Sequence, residues 1–134
     1  MNYHTLILTS LCMPLTNLGI AYKYNICNIY LTSITFLGSF ISIGFWIDPI
    51  NNRNQCIHYL DTISTRYVII NYTLYKLFVN RNNLFLYFWN FIPMLYYFYL
   101  SNKMSSKHWC SNAHIQSHIT AYIYFILCCY ISFF

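Results

Sequence analysis

Negative charge is almost missing from this chain. Among 134 residues there is no glutamate, and Asp48 and Asp61 are the only acidic side chains. Charged residues of both signs make up 7%, against about 25% in a soluble globular domain, so the chain cannot cover a folded surface with charge. The Lys and Arg residues stand singly, without any basic run, which excludes the patch of phosphate contacts that nucleic-acid binding needs. No CxxC pair occurs. Cys12, Cys27, Cys56, Cys110, Cys128 and Cys129 lie mostly in apolar segments and read as small buried hydrophobes. The stretch from Met1 to Ala21 lacks a basic n-region and a small-residue cleavage site, so it reads as a retained span and not as a cleaved signal. No internal repeat is evident.

What the chain has instead is grease. Hydrophobic residues are 58% and aromatics 22% of the total, a balance that needs lipid. At roughly 20 residues per crossing, the length allows five spans and no separate soluble domain, so residues 1–134 form a single integral-membrane domain. The expected fold is all-α, a polytopic membrane helical bundle with spans near 5–22, 26–46, 57–79, 84–100 and 113–134.

The first span holds Pro14 and Gly19, both tolerated in membrane helices, and a kink is expected at the proline. In the second, Gly38 and Ser42 are four apart, as are Thr35 and Ser39, so one face can approach a neighbouring helix closely. Trp46 ends that span as an interfacial anchor. Asp48 and Pro49 then stop the helix, because proline disfavours helical geometry in the residue before it. The loop from Asn51 to Gln55 is fully polar.

The third span is the least lipid-like, carrying His58, Asp61, Arg66, Asn71 and Lys76. Arg66 lies about 13 Å along the helix axis. A central Arg or Asp costs about 2.5–3.5 kcal/mol on translocon scales, so this helix is expected to be surrounded by protein with its polar groups facing inward. Asn80 to Asn83 form a tight turn, which predicts that spans three and four are antiparallel neighbours. The fourth span, strongly aromatic with Pro93 inside it, is expected to face lipid. Ser111 or Asn112 is the expected N-cap of the fifth.

Five crossings put the amino terminus, the 47–56 loop and the 101–112 loop on one side. That places His4, His58, His108, His114, His118 and both aspartates on the same face. His114 and His118, four apart, share one helical face, as do His58 and Asp61, three apart. Three imidazoles and a carboxylate from two helix heads suit zinc, which takes nitrogen ligands tetrahedrally and leaves one position for water. On this reading His58, His114 and His118 hold the metal, and Asp61 or Asp48 orients a ligand or acts as base. The competing reading pairs His58 with Asp61, or Asp61 with Arg66, and leaves the other two as interfacial residues. A Cys56–Cys110 disulfide is also open, given an oxidising compartment on that face. The positive-inside count is nearly balanced between the two sides and assigns no orientation.

A serine near the end of one span, a His and Asp in the next polar segment and HxxxH on the last helix together resemble the ceramidase and adiponectin-receptor superfamily of membrane hydrolases. That resemblance implies a zinc held by three histidines, with a nearby Ser and Asp, and cleavage of lipid amides. His114 and His118 match the last-helix pair, and Ser42, His58 and Asp61 would take the other roles. The chain departs from the family by having five spans where the family has seven, and by Trp46 standing where a histidine should follow the serine by one turn. More loosely, the whole chain resembles short multispan proteins of large DNA viruses.

Two function classes follow. The first is a metal-dependent intramembrane hydrolase of a lipid or acyl substrate entering from the bilayer. The second is a multispan structural or interaction protein in which the polar cluster fixes helix packing. A proton or ion path along the third span ranks below both, because Asp61 and Arg66 lie about 140° apart around the helix.

Overall fold

The computed structural model of the chain describes residues 3–25 and 28–134. The start of the second span at 26, and Cys27, lie outside the described residues. Six helices follow in order: α1 Tyr3–Tyr24, α2 Ile29–Ile47, the single turn α3 Pro49–Asn52, α4 Cys56–Phe78, α5 Leu84–Ser105 and α6 Asn112–Ser132. There is no strand among the described residues. The fold is all-helical, and α1, α2 and α6 are long and apolar enough to cross a membrane.

Local chemistry sets the boundaries. Asn28 caps α2 by accepting the Leu31 N–H at 3.0 Å, and Ser111 caps α6 by accepting that of His114 at 3.2 Å. Asp48 ends α2 and caps α3, taking the Asn51 N–H at 3.4 Å and its side-chain amide at 2.7 Å. Asn25, Asn54 and Asn83 sit at positive φ in the connections, where asparagine is tolerated. Helices α1 and α5 each run through their proline as one continuous helix.

The packing departs from the expected order of neighbours. Helix α1 packs on α2, α2 on α4, and α6 lies along α1, α4 and above all α5. Helix α5 leans on α6 and makes little contact with α4, so the tight turn at 80–83 does not produce a packed antiparallel pair. The two helices diverge from that turn and leave a cleft between them.

Two ends result. At one, Tyr3, Arg53, Ser105, Trp109 and Cys110 meet: Arg53 donates to the Ser105 carbonyl at 3.1 Å and lies 4.7 Å over the Trp109 ring. At the other, the Asn80 and Asn83 amides donate to the Ser132 and Phe134 carbonyls at 3.1 and 2.9 Å, and Tyr24 meets Phe134 edge to face. Large apolar side chains line the outside of every long helix, among them Leu15, Phe40, Ile63, Trp89 and Leu127. Phe85, Trp89, Ile92 and Tyr99 of α5 are among those pointing outward.

Helix α4 is not surrounded by protein. Asp61, Val68, Tyr72 and Lys76 form its buried stripe, whereas Arg66 is exposed. Inward burial of all its polar groups is therefore corrected: Arg66 lies about 140° from Asp61 and points away from the core.

Candidate functional site

The site begins where α2 comes closest to α4. A Cβ on Gly38 would stand 3.3 Å from Cγ2 of Val68, and one on Gly44 would stand 2.9 Å from Cδ1 of Ile57. A larger residue at either position would require Val68 or Ile57 to shift. One turn beyond Gly38, the Ser42 hydroxyl donates to Oδ1 of Asp61, with both residues buried.

Helix α6 supplies the next layer. His114 and His118, one turn apart, have ring centroids 4.9 Å apart and meet edge to face. Trp46 packs across them, 5.0 Å from His118 and 6.5 Å from His114. Tyr122, a further turn along, stacks on His118 at 6.2 Å, and its hydroxyl faces Ser42, Asp61 and Trp46. His58 is stacked on Phe45 at 4.8 Å, and Trp109 bridges it to His114 with separations of 5.5 and 5.2 Å. Thus Ser42, Asp61, His58, His114 and His118 all reach one aromatic-lined cluster at the same end of the bundle.

Hydrogen bonding decides how these imidazoles can act. Nδ1 of His58 accepts the Asn54 N–H at 3.1 Å, and Nδ1 of His114 accepts the Cys110 N–H at 3.1 Å. A neutral imidazole whose Nδ1 accepts carries its hydrogen on Nε2. A metal-ligating histidine has the opposite wiring, with one nitrogen bare for the metal and the other donating to an acceptor. Two of the three expected ligands therefore do not fit zinc as they are held. Among the described residues, no three His, Cys, Asp or Glu side chains stand as a metal-holding group.

The same wiring creates donors. Nε2 of His114 and Nε1 of Trp46 and Trp109 are buried and have no hydrogen-bond partner among the described residues, as is Nδ1 of His118. The Tyr122 hydroxyl is the group that Nε1 of Trp46 faces, which leaves Nε2 of His114 and Nε1 of Trp109 as the bare donors of the cluster.

Other expected residues lie elsewhere. Asp48 is exposed and spent on capping α3, so it does not join the cluster. His4 and His108 are exposed. Cys56 and Cys110 are both free, with Cys56 exposed and Cys110 buried, so the disulfide does not form. Burial pushes the Cys110 thiol up, against a lowering by the Tyr3 hydroxyl and Arg53. Trp46, expected at the interface, is instead 1% exposed in the middle of the site. Trp109 and Tyr122 were not singled out by the sequence. Register was a signal for Tyr122, which follows His118 by four residues and so shares its face, whereas Trp109 lies in the turn before α6 and has no such signal.

The cleft between α4 and α5 has a volume of about 240 Å³ and reaches the cluster at Asp61 and His118. Arg66 and Asn102 give it polar walls, and Ile69 and Phe98 give it apolar ones. No family model, curated protein or solved structure matches this chain.

Proposed function

We propose that the chain is a five-span membrane protein carrying a hydrolase-type site for an acyl lipid that enters sideways from the bilayer. The observation that carries this reading is the Ser42 hydroxyl hydrogen-bonded to the Asp61 carboxyl at the end of the cleft between α4 and α5. The alternation of the five long helices between two polar ends, each helix presenting apolar side chains outward, supports the five crossings.

Ser42 is the nucleophile of this reading and Asp61 takes its proton as the hydroxyl oxygen bonds to the acyl carbon. The buried Nε2–H of His114 supplies a donor for the carbonyl oxygen as it gains charge, which is the largest single contribution in many acyl-transfer sites. Asp61, which also lines the cleft, then returns that proton to the leaving oxygen, with His118 on the wall beside it. Water then cleaves the acyl-serine ester and restores the hydroxyl. No step passes through a metal.

Arg66 points to the substrate class. It is an exposed cation near the middle of a spanning helix, and no ion pair holds it among the described residues. A bare guanidinium there is expensive, and an anionic headgroup in the cleft offsets that cost.

The test is release of a fluorescent acyl chain from phosphatidylglycerol and phosphatidylcholine analogues by the protein in nanodiscs. The expected result is faster release from the anionic lipid, with Ser42→Ala and Asp61→Asn each slowing it by about 10²–10⁴. If neither lipid is cleaved, or if Ser42→Ala cleaves as fast as the parent chain, the cluster is a packing device and the scaffold reading holds.

A further inference from the structure

The polar groups of the core do not stop at the candidate site. On α4, Asp61, Thr65, Tyr72 and Lys76 fall within about 60° of one another around the helix. Asp61, Tyr72 and Lys76 are buried. Facing them are Ser10 and Asn17 from α1 and Thr35, Ser39 and Ser42 from α2, also buried. The stripe runs about 22 Å from Asp61 to Lys76, most of the ~30 Å hydrocarbon thickness of a bilayer.

Its hydrogen bonds form two separate networks. At the site end, Ser42 is bonded to Asp61. Deeper, Thr35 and the Tyr72 hydroxyl share a bond of 2.8 Å, and the Asn17 amide donates to Tyr72 at 2.6 Å. Between them is a cavity of about 20 Å³ where Ser10, Ser39 and Ser42 face the apolar Met13, Val68 and Phe125. This is room for one water molecule, which needs about 10–15 Å³ and two to four polar partners. Ser10 at 1% exposure, Ser39 at 6% and Asn17 at 3% each hold an oxygen with no partner among the described residues. Buried hydroxyls are seldom left so, and a water in that cavity satisfies the two serines while touching both networks. Beyond Tyr72 by one turn, the Lys76 amine donates to the Ile131 carbonyl at 3.0 Å, beside the polar turn at 80–83.

We propose that this buried seam conducts protons along the bundle, between the cleft at Asp61 and Lys76, which is buried beside the polar turn at 80–83. Apart from Asn17, its members are hydroxyls, a carboxyl, an amine and a water site, and each of these can accept a hydrogen and release another. A proton entering at one end moves as each group takes one and passes on its own, and the hydroxyls return by rotation. One proton and one charge cross per pass. Arg66, about 140° from Asp61 around α4, lies off the seam. Lys76 is on it. The proposal rests on α4 crossing the membrane, but not on the hydrolase reading.

The experiment is a proton-flux assay in proteoliposomes, with pyranine inside and a pH step outside in the presence of potassium and valinomycin. The parent chain is expected to carry protons faster than protein-free vesicles. Tyr72→Phe and Ser39→Ala should each slow the flux about a hundredfold, the lower end of what a positioned proton-transfer group contributes. Ser39 makes no side-chain hydrogen bond in the structure, so its replacement keeps the native network and guards against a folding artefact. Ser33→Ala, on the exposed face of α2, should conduct normally. Flux equal to that of empty vesicles, or unchanged flux in Tyr72→Phe and Ser39→Ala, overturns the proposal. Labelling of the two ends of α4 from opposite sides of a vesicle separates that failure from a failure of α4 to cross.

Discussion

The backbone N–H of Cys110 donates to Nδ1 of His114 at 3.1 Å. Cys110 holds a φ of 57°, a left-handed conformation uncommon for a residue with a Cβ. That turn places the N–H, one residue before the Ser111 cap that begins α6, against the ring. The bond keeps the hydrogen of His114 on Nε2, so this imidazole enters the site as a donor.

Purified protein should therefore carry no stoichiometric zinc. Inductively coupled plasma mass spectrometry on protein prepared without chelator checks this. A value near one zinc per chain that disappears in His118→Ala would show that the imidazoles rewire for a metal.

The two thiols near the site should differ in reactivity. Cys56 is exposed at the head of α4, whereas Cys110 is buried and its thiol is pushed up by that burial. A raised thiol has less of its reactive thiolate at pH 8. Maleimide should label Cys56 quickly and Cys110 only after unfolding, as read by peptide mass spectrometry. The stability that the protonated Cys110 contributes is present at neutral pH and is lost as pH rises through its folded value. Equal labelling of both in the folded protein would contradict the burial.

The Ser42–Asp61 pair depends on how close α2 comes to α4. Gly38→Val puts atoms where Cγ2 of Val68 already stands 3.3 Å from a Cβ position, and overpacking of this kind costs about 1–3 kcal/mol. Gly19→Val, with nothing within 4 Å of its Cβ position, is the matched control. Thermal unfolding in detergent should show a loss for the first beyond that for the second. Equal effects would mean that the contact does not set the helix spacing.

Much of the scaffold was legible because span length and cap chemistry are local properties. The five long helices begin and end within a few residues of their expected bounds, and Ser111 caps α6 as its residue type implies. Neighbour order was not legible, since a short turn fixes connection and not contact: α5 chose α6, whose small and aromatic face fits it, and left the cleft. In the site, HxxxH and HxxD located the histidines and Asp61 by register. The imidazole wiring depends on backbone N–H groups at Asn54 and Cys110, which no side-chain pattern encodes, and the Ser42–Asp61 pairing depends on the approach of α2 to α4. Trp46 misled because a tryptophan at the end of a span has the same sequence signature whether it faces headgroups or fills a core. Lys76 does face inward as expected, but its partner, a backbone carbonyl 55 residues away, has no signature in the sequence.

Every functional claim depends on α4, the helix with Asp61 and Lys76 on one face, passing through the bilayer. With the other cysteines replaced, Cys56 at its head and Asn82→Cys in the turn beyond its foot, both exposed, can be labelled with a membrane-impermeant maleimide in sealed vesicles. The account predicts that one is labelled from outside only and the other after the vesicles are opened. Labelling of both from the same side would contradict it.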